Sequence, residues 1–274
     1  MSAQNDNVKS RITTLSLQKM KQSGDKITSL TAYDATFAGI LDEAGIDVIL
    51  VGDSLGMVIQ GRETTVPVTM DDMIYHTRLV ARICERALVM ADMPFMSFAT
   101  PEQALHNAAR LMQAGGHMVK LEGGNHQADT VHRLTVQGIP VCAHIGLRPQ
   151  SIHKMGGYLI QGRGDQAAHA MLEDARALEQ AGADILLVEC IPAELAREIT
   201  QSVRVPVIGI GAGNHCDGQI LVLYDMLGIT RGRIPKFVKD FLAEGDGNSV
   251  LDAIRAYVRA VKSIEFPGPE HEFK

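Results

Sequence analysis

Short apolar runs alternate with longer amphipathic stretches along most of the chain. Eight runs are of strand type, at residues 26–34, 46–54, 86–94, 117–124, 139–147, 183–192, 205–213 and 219–227. Several contain segments such as VILV and ILLV, and a segment that is apolar at every position is typical of a strand covered on both faces. The pattern therefore predicts eight buried strands.

Helical stretches lie between most of these runs. Helical spacing is found at 36–45, 69–86, 100–116 and 165–183. Thr69 and Thr100 are suited to cap the second and third of these helices, and Gly45 and Gly182 to end the first and fourth. Strands that alternate with helices of this length form βαβ units around a parallel sheet.

Eight such units in a chain of 274 residues fit a closed (β/α)₈ barrel better than a doubly wound sheet. We predict an α/β fold with a single barrel domain over residues 1–274. A short N-terminal helix within about 8–25 is expected to cover the bottom of the barrel, and an extra helix at about 248–264 to lie outside the repeat.

Five successive strands end in an ionisable side chain: Asp53, Asp92, Glu122, His144 and Glu189. In a barrel, the C-terminal ends of all strands open onto the face that holds the active site. A single acid at such a place is usually a helix N-cap or a loop residue. Five in succession, with Lys120 on the same strand face as Glu122, predict a shared polar site instead.

The charges of this site require a counter-ion. Asp53, Asp92 and Glu122 would place three carboxylates in a small space, where like charges raise one another's pKa. Lys120 supplies one positive charge, and a divalent cation would supply the rest. Oxygen donors without a cysteine cluster favour Mg²⁺ over structural Zn²⁺. Asp53 and Asp92 are the expected direct ligands, with Glu122 bound directly or through water.

Glu189 has an apolar setting, which raises a carboxyl pKa towards the range that suits a general base. Its alternative role is to accept hydrogen bonds from loop amides. His144 either orients a substrate oxygen, moves a proton or is only structural. The turn that contains Ser54 and the glycine-rich segment 209–214 either bind anionic oxygens or form only tight turns.

This combination of groups suits the activation of a 2-oxo acid. A cation chelated by the carboxylate and keto oxygens acidifies the neighbouring C–H bond. Lys120 would stabilise the enolate or hold the carboxylate, and Glu189 would remove the proton. The residues do not specify the electrophile. A carbon–carbon lyase or phosphonomutase with the same chemistry, and a small-molecule binding protein without turnover, remain alternatives.

Composition narrows the range of partners. A net charge of −6, 4% aromatic residues and no Trp argue against a nucleic-acid partner. No run approaches the ~18 apolar residues of a membrane span, and residues 1–26 lack the apolar region of a secretory signal. The four cysteines, Cys84, Cys142, Cys190 and Cys216, form no CxxC pair, which favours reduced thiols in a cytoplasmic protein.

Distinct motifs recur in order from residue 10 to the end of the chain. They are TAYD (31–34), VGDSLGMVIQG (51–61), ADMPFMSF (91–98), VKLEGG (119–124), HIGLRPQS (144–151), GGYLIQGR (156–163), VIGIGAG (207–213), DGQILV (217–222), PKFVKDF (235–241) and the terminal EFPGPEHEF. Together they resemble the 3-methyl-2-oxobutanoate hydroxymethyltransferase family, also called ketopantoate hydroxymethyltransferase.

The resemblance implies a TIM barrel of the phosphoenolpyruvate/pyruvate type. It implies transfer of a one-carbon unit from 5,10-methylenetetrahydrofolate to 3-methyl-2-oxobutanoate, which gives 2-dehydropantoate for pantothenate and coenzyme A synthesis, through a Mg²⁺-stabilised enolate. It also implies a homodecamer, organised as a pentamer of dimers. Small-molecule substrates, rather than a nucleic acid or a membrane, are the expected partners.

The same resemblance assigns roles by motif matching. Asp53, Asp92 and Glu122 correspond to the family's Mg²⁺ ligands; Asp53, Ser54, Asp92 and Lys120 to its oxo-acid contacts; and Glu189 to its proton acceptor. Leu159 and Arg148 depart from the family pattern, in which Lys and Thr are expected. These departures put folate or loop contacts at the two positions in doubt, and no folate-binding residue is assigned.

Overall fold

Eight parallel strands close into a barrel in the order of the sequence. The computed structural model describes residues 10–232, 234–243 and 249–274. The strands β1 to β8 are Ile27–Thr31, Val48–Val51, Leu88–Asp92, Met118–Glu122, Val141–Gly146, Ile185–Glu189, Val207–Ile210 and Gly218–Leu221. Each lies within, or within one residue of, the apolar run that predicted it, so the predicted (β/α)₈ barrel is confirmed.

Helices connect the strands on the outside of the barrel. Within the described residues, α1 to α11 are Thr14–Ser23, Ala35–Ala44, Leu55–Val58, Met70–Ala81, Pro101–Gln113, Ala128–Val136, Ile152–Met155, Asp165–Gln180, Ala193–Ser202, Leu223–Met226 and Val250–Lys262. Short 3₁₀ turns lie at Asn125–Gln127, Pro149–Ser151 and Pro269–His271. The side chains of Thr69 and Thr100 cap α4 and α5 as predicted, and Gly45 ends α2 at a φ of 90°.

Helix α4 is shorter than predicted. The apolar periodicity extends to residue 86, but the helix ends at Ala81. The carboxylate of Asp42 accepts hydrogen bonds from the backbone amides of Glu85, Arg86 and Ala87, at 2.7–3.2 Å. These amides are therefore bound to a side chain of α2 rather than to carbonyl groups of their own helix.

The predicted eighth strand, residues 219–227, is also wrong in its second half. Strand β8 ends at Leu221, which pairs with Leu30 of β1. Two residues further on, the backbone amide of Leu223 donates to Thr31 Oγ1 at 3.0 Å, and the short helix α10 begins. The strand therefore ends where its neighbour β1 ends.

Both terminal helices lie inside their predicted ranges. Leu17 of α1 is fully buried and packs with Ile27, Val48 and Leu88, the first residues of their strands, so α1 closes the bottom of the barrel. Helix α11 packs where β1 meets β8. The hydroxyl of its Tyr257 lies 2.9 Å from the carbonyl oxygen of Ser29 in β1 and 2.9 Å from that of Gln219 in β8.

Residues 8 and 9 of the predicted N-terminal element and residue 248 of the predicted C-terminal helix lie outside the described residues. The assignment of the entire chain to one domain stays a prediction. All four cysteines are buried and free, as predicted. A membrane-spanning helix is not found in the described part of the chain.

Alternation along β4 positions the candidate site. Met118, Lys120 and Glu122 share one face of the strand, while Val119 and Leu121 pack in the cluster around the barrel. Met118 belongs to the inner apolar cluster near the bottom. Lys120 and Glu122 therefore point into the barrel interior, above its apolar layer and towards its C-terminal mouth.

Candidate active site

One cavity of about 630 Å³ opens at the C-terminal end of the barrel. Its lining includes all seven residues that the sequence singled out: Asp53, Ser54, Asp92, Lys120, Glu122, His144 and Glu189. Asp92, Glu122 and Glu189 are the last residues of their strands. The structure thus brings together residues up to 136 positions apart, since the first is residue 53 and the last is residue 189.

The acids of this cavity do not act as helix caps. The N-caps of the helices after β3, β4 and β6 are Thr100, Gln127 and Pro192. The short helix α3 after β2 has Ser54 as its N-cap, without a side-chain hydrogen bond. The interpretation of each strand-end acid as a cap for the next helix therefore fails. Their carboxylates are directed to one another and to the cavity.

Lys120 forms an ion pair with Asp92 at the cavity floor. Its Nζ donates to both carboxylate oxygens, at 2.8 and 2.7 Å, and the two side chains are 5% and 2% exposed. Burial by itself lowers the pKa of Lys120, but the carboxylates of Asp92 and Glu122 reverse the shift and raise that pKa above its usual value. The ammonium group therefore stays charged.

Asp53 lies beside this pair. Its backbone amide donates to Asp92 Oδ2 at 3.3 Å, so the turn after β2 contributes one N–H to the acid cluster. Burial, followed by repulsion from Asp92, raises the pKa of Asp53 to about 8, although Lys120 offsets part of the shift. Asp53 is thus a carboxyl group whose ionisation depends on further positive charge in the cavity.

Gln150 is a contact residue that the sequence did not indicate. It lies in the 3₁₀ turn after β5, and its side-chain Nε2 donates to Asp53 Oδ2 and to the carbonyl oxygen of Met93, both at 2.9 Å. Its backbone amide donates to Glu122 Oε2 at 3.1 Å. An uncharged residue in a loop carries no periodic or charge signal, and no role was predicted for Gln150 from the sequence, although it lies within the HIGLRPQS motif.

A row of ionisable groups crosses the site from Glu122 to Glu189. His144 Nδ1 lies 3.6 Å from Glu122 Oε1, and His144 Nε2 lies 3.3 Å from Glu189 Oε2. Burial, reinforced by Lys120, lowers the pKa of His144 well below its usual value, so the ring is neutral despite the two acids.

Glu189 lies at the opposite end of this row from Glu122. Burial raises its pKa to about 7, and Lys120 offsets part of that shift. Burial likewise raises the pKa of Glu122 well above its usual value. Glu189 is the carboxyl group at the end of the row, and its pKa near neutrality suits proton transfer.

Tyr33 forms a hydrogen bond with Ser54. Its hydroxyl lies 2.8 Å from Ser54 Oγ, and the side chain is 1% exposed. The backbone carbonyl of Tyr33 is in turn 2.6 Å from His76 Nδ1 of α4. No role was predicted from the sequence for Tyr33, which lies next to the end of the first apolar run and has no charge to mark it.

The glycine-rich segment 209–214 packs closely rather than leaving an open anion cradle. Gly211 has a φ of 59°, and a Cβ atom there would lie 2.7 Å from the Phe237 ring. This close approach favours the tight-turn interpretation of the segment.

The predicted metal ligands are not arranged as a closed coordination shell. Across residues 10–232, 234–243 and 249–274, no group of three or more His, Cys, Asp and Glu side chains has the spacing of a metal site. Both oxygens of Asp92 contact Lys120 instead. Ligation by Asp53, Asp92 and Glu122 therefore stays a prediction.

The chemistry of the donors nevertheless fits a hard divalent cation. Five carboxylates line the cavity, those of Asp53, Asp92, Glu122, Glu189 and Asp225, whereas Lys120 is the ammonium group at its floor. Glu122 Oε1 is buried and has no hydrogen-bond partner among the described residues. A buried, unpartnered carboxylate oxygen in an acid-rich cavity is suited to Mg²⁺, which binds hard oxygens through one or two carboxylates.

The mouth of the cavity is lined by apolar and aromatic side chains, unlike its polar floor. Met57, Tyr158 and Leu159 line it together with Phe237 and Phe273. The Tyr158 hydroxyl lies 3.6 Å from Met57 Sδ, and Tyr158 and Leu159 are 54% and 55% exposed. The site therefore combines a polar floor with an apolar, partly open entrance.

The sequence matches the profile of the family described as Ketopantoate hydroxymethyltransferase over residues 11–269. The chain belongs to this family. A 3-methyl-2-oxobutanoate hydroxymethyltransferase from Marinobacter nauticus is 59% identical over 263 residues, which cover 96% of this chain and 99% of that relative. One from Alkalilimnicola ehrlichii is 63% identical over 258 residues, covering 94% and 92%. These matches confirm the resemblance and the prediction of a transferase.

Solved structures of low sequence identity share the barrel. Phosphonopyruvate hydrolase in complex with oxalate and Mg²⁺ has a TM-score of 0.59 at 14% identity, over 76% of this chain and 80% of that one. 2,3-Dimethylmalate lyase, a member of the PEP mutase/isocitrate lyase superfamily, has a TM-score of 0.57 at 17% identity, over 93% and 98%. This likeness confirms the fold class, and because fold does not specify function, it does not support the lyase or phosphonomutase alternative.

Proposed function

We propose that this member of the ketopantoate hydroxymethyltransferase family transfers a hydroxymethyl group from 5,10-methylenetetrahydrofolate to 3-methyl-2-oxobutanoate. The product would be 2-dehydropantoate, for pantothenate and coenzyme A synthesis. The observation that carries the mechanism is that Glu189, whose pKa burial raises to about 7, lies in the same cavity as the Lys120–Asp92 pair and contacts His144 Nε2 at 3.3 Å. One cavity thus contains a base that can be free near neutrality and a cationic group for the developing negative charge.

The polar floor is proposed to bind the oxo acid. Asp53, Asp92 and Glu122 would hold Mg²⁺, which when bound supplies Lewis-acid polarisation of the keto group. An ammonium group has three N–H donors. Because Lys120 directs two hydrogen bonds to Asp92, one donor is left for a substrate oxygen. Ser54, held by Tyr33, would contribute a further hydrogen bond to the oxo acid.

In the reaction, Glu189 would remove the proton from C3 of the oxo acid. Lys120 would stabilise the negative charge that develops on the keto oxygen. A new carbon–carbon bond then forms between C3 and the methylene carbon, both carbon–nitrogen bonds of the donor break, and a water molecule supplies the new hydroxyl oxygen. The two freed nitrogens of tetrahydrofolate take up two protons in balance, the one that left C3 and one from that water. His144 Nε2, at 3.3 Å from Glu189, can orient the base or accept its proton.

The apolar mouth is proposed to accept the folate. The cavity volume of about 630 Å³ is in the range of drug-sized ligands, whereas 3-methyl-2-oxobutanoate is a small acid. Tyr158 and Phe237 offer aromatic surface for a pterin ring, and Arg163 and Lys236 also line the cavity, with positive charge for the carboxylates of the folate tail. Leu159 lies in this region, so the family's lysine at that position is replaced by an apolar contact.

We also propose a cytoplasmic homodecamer, a pentamer of dimers. Membership of the family supports the assembly, and four buried, free cysteines support a reducing compartment.

Deuterium exchange at C3 of 3-methyl-2-oxobutanoate tests the proposed chemistry. The protein should catalyse exchange in D₂O when Mg²⁺ is present, as followed by proton NMR. Absence of exchange with Mg²⁺, both with and without tetrahydrofolate, would overturn the mechanism. Exchange without 2-dehydropantoate formation from 5,10-methylenetetrahydrofolate would instead overturn the assignment of the one-carbon donor.

A further inference from the structure

Gln150 links three neighbouring strand ends of the site. Its side chain donates to Asp53 after β2 and to the Met93 carbonyl after β3, and its backbone amide donates to Glu122 at the end of β4. Only 4% of the residue is exposed. Bonds of this kind join the loop after β5 to the acid cluster without adding any charge to it.

These hydrogen bonds select one oxygen of each carboxylate. Gln150 occupies Oδ2 of Asp53 and Oε2 of Glu122, at 2.9 and 3.1 Å. Oε1 of Glu122 is left buried and without a hydrogen-bond partner among the described residues, and His144 Nδ1 lies 3.6 Å from it. A carboxylate held by one oxygen cannot rotate freely, so the free oxygen of Glu122 has a fixed position.

The amide group of glutamine is suited to this arrangement. Nε2 carries two N–H groups, and both are directed to oxygen acceptors, on Asp53 and Met93. If the amide were turned over, its own oxygen would face these two acceptors, so the contacts define its orientation. A lysine or arginine would neutralise the acids, and a glutamate would repel them.

We propose that Gln150 is a positioning residue that orients Asp53 and Glu122 so that Glu122 Oε1 is free to bind a divalent cation. The inference rests on the proposed function, since it assigns the arrangement of the same site. Partners that orient metal-binding carboxylates typically change metal affinity or activity by about 10- to 100-fold when they are removed.

The test is Mg²⁺ binding to the intact protein by titration calorimetry, without substrate. Gln150→Met fills a similar volume but has no N–H donor, and it should weaken Mg²⁺ binding by about 10- to 100-fold. Gln150→Glu should weaken it too, because two acceptors would then face Asp53. The matched control is Gln137→Met, at the exposed end of α6, which should bind Mg²⁺ like the original protein.

A purely space-filling role of Gln150 predicts a different Mg²⁺ affinity for the Met variant. If Gln150 only fills space, the Met variant should retain its Mg²⁺ affinity at temperatures well below its melting temperature, and an affinity within twofold of the original would overturn the proposal. If the original protein binds no Mg²⁺ and exchanges no C3 proton, the proposed function fails as well. If the original protein exchanges the proton normally and Gln150→Met binds Mg²⁺ with unchanged affinity, only this role of Gln150 is refuted.

A crystal structure of the unaltered protein with Mg²⁺ and oxalate tests the same point even if the variants do not fold. The Gln150 amide should still contact Asp53, and Glu122 should face the cation through Oε1, directly or through one water molecule. An amide turned away from Asp53, or a Glu122 that reaches the cation through Oε2, would contradict the proposal.

Discussion

Lys120 donates to both carboxylate oxygens of Asp92, at 2.8 and 2.7 Å, inside the barrel. Lys120 and Glu122 share a face of β4, but the register of β3 and β4 places Asp92 directly beside Lys120. Taking two charges out of water costs free energy that can offset their mutual attraction, so the burial of this ion pair does not by itself show that it stabilises the fold. Its position at the floor of an acid-rich cavity points to a role in charge balance and substrate binding.

Replacement of Lys120 tests this role. Lys120→Ala should raise KM for 3-methyl-2-oxobutanoate by about 10- to 100-fold, since a hydrogen bond to a charged group contributes roughly 1.5–3 kcal/mol. Steady-state kinetics at saturating Mg²⁺ measures the change. Lys19→Ala, on the exposed surface of α1, is the control and should leave KM unchanged. A KM for Lys120→Ala equal to that of the original protein would show that the substrate binds elsewhere.

Removal of the base should separate binding from chemistry. Glu189→Gln retains the size of the side chain but cannot accept the C3 proton, so deuterium exchange should fall by about 10²- to 10⁴-fold, the usual contribution of a general base. Oxo-acid affinity, measured by calorimetry, should be nearly unchanged. Glu198→Gln, on the exposed surface of α9, serves as the control. Undiminished exchange in Glu189→Gln would exclude Glu189 as the base.

The exchange rate should depend on pH through Glu189. Burial raises the pKa of this carboxyl group to about 7, and only the ionised form can accept a proton. Exchange should therefore reach a plateau above this pH and fall about tenfold per pH unit well below it. In Lys120→Ala the midpoint should move to higher pH, because Lys120 lowers the pKa of Glu189. A rate independent of pH between 5 and 8 (roughly the window set by this pKa) would contradict the assignment.

Tyr33 should affect substrate binding through Ser54. Tyr33→Phe removes only the hydroxyl that lies 2.8 Å from Ser54 Oγ. Loss of one hydrogen bond of about 1 kcal/mol predicts a KM for the oxo acid that is higher by roughly fivefold, with kcat little changed. Tyr75→Phe, at a side chain that is 60% exposed, is the matched control. An equal change in both variants would argue against a specific role of Tyr33.

The barrel itself followed from local patterns. Each of the eight strands coincides with a short apolar run, and Thr69, Thr100 and Gly45 define helix ends as expected. Errors arose where a distant residue competes with the local pattern. The Asp42 carboxylate takes the amides after α4, and Thr31 takes the amide of Leu223 after β8.

The ionisable part of the site was also predictable, because a barrel brings all C-terminal strand ends to one face. Uncharged residues that support the acids were not. Gln150 contacts Asp53 across 97 positions of sequence, and neither residue type nor periodicity marks such a contact.

The sequence by itself determined the fold class, the family and the set of acids, lysine and histidine at the strand ends, because periodicity, caps and motifs are properties of neighbouring residues. Only the tertiary structure decided that Lys120 pairs with Asp92, that His144 lies between Glu122 and Glu189, and that Gln150 holds two of the acids. The reason is physical: these contacts depend on strand register and on the closure of the barrel, which fix distances between residues far apart in the chain.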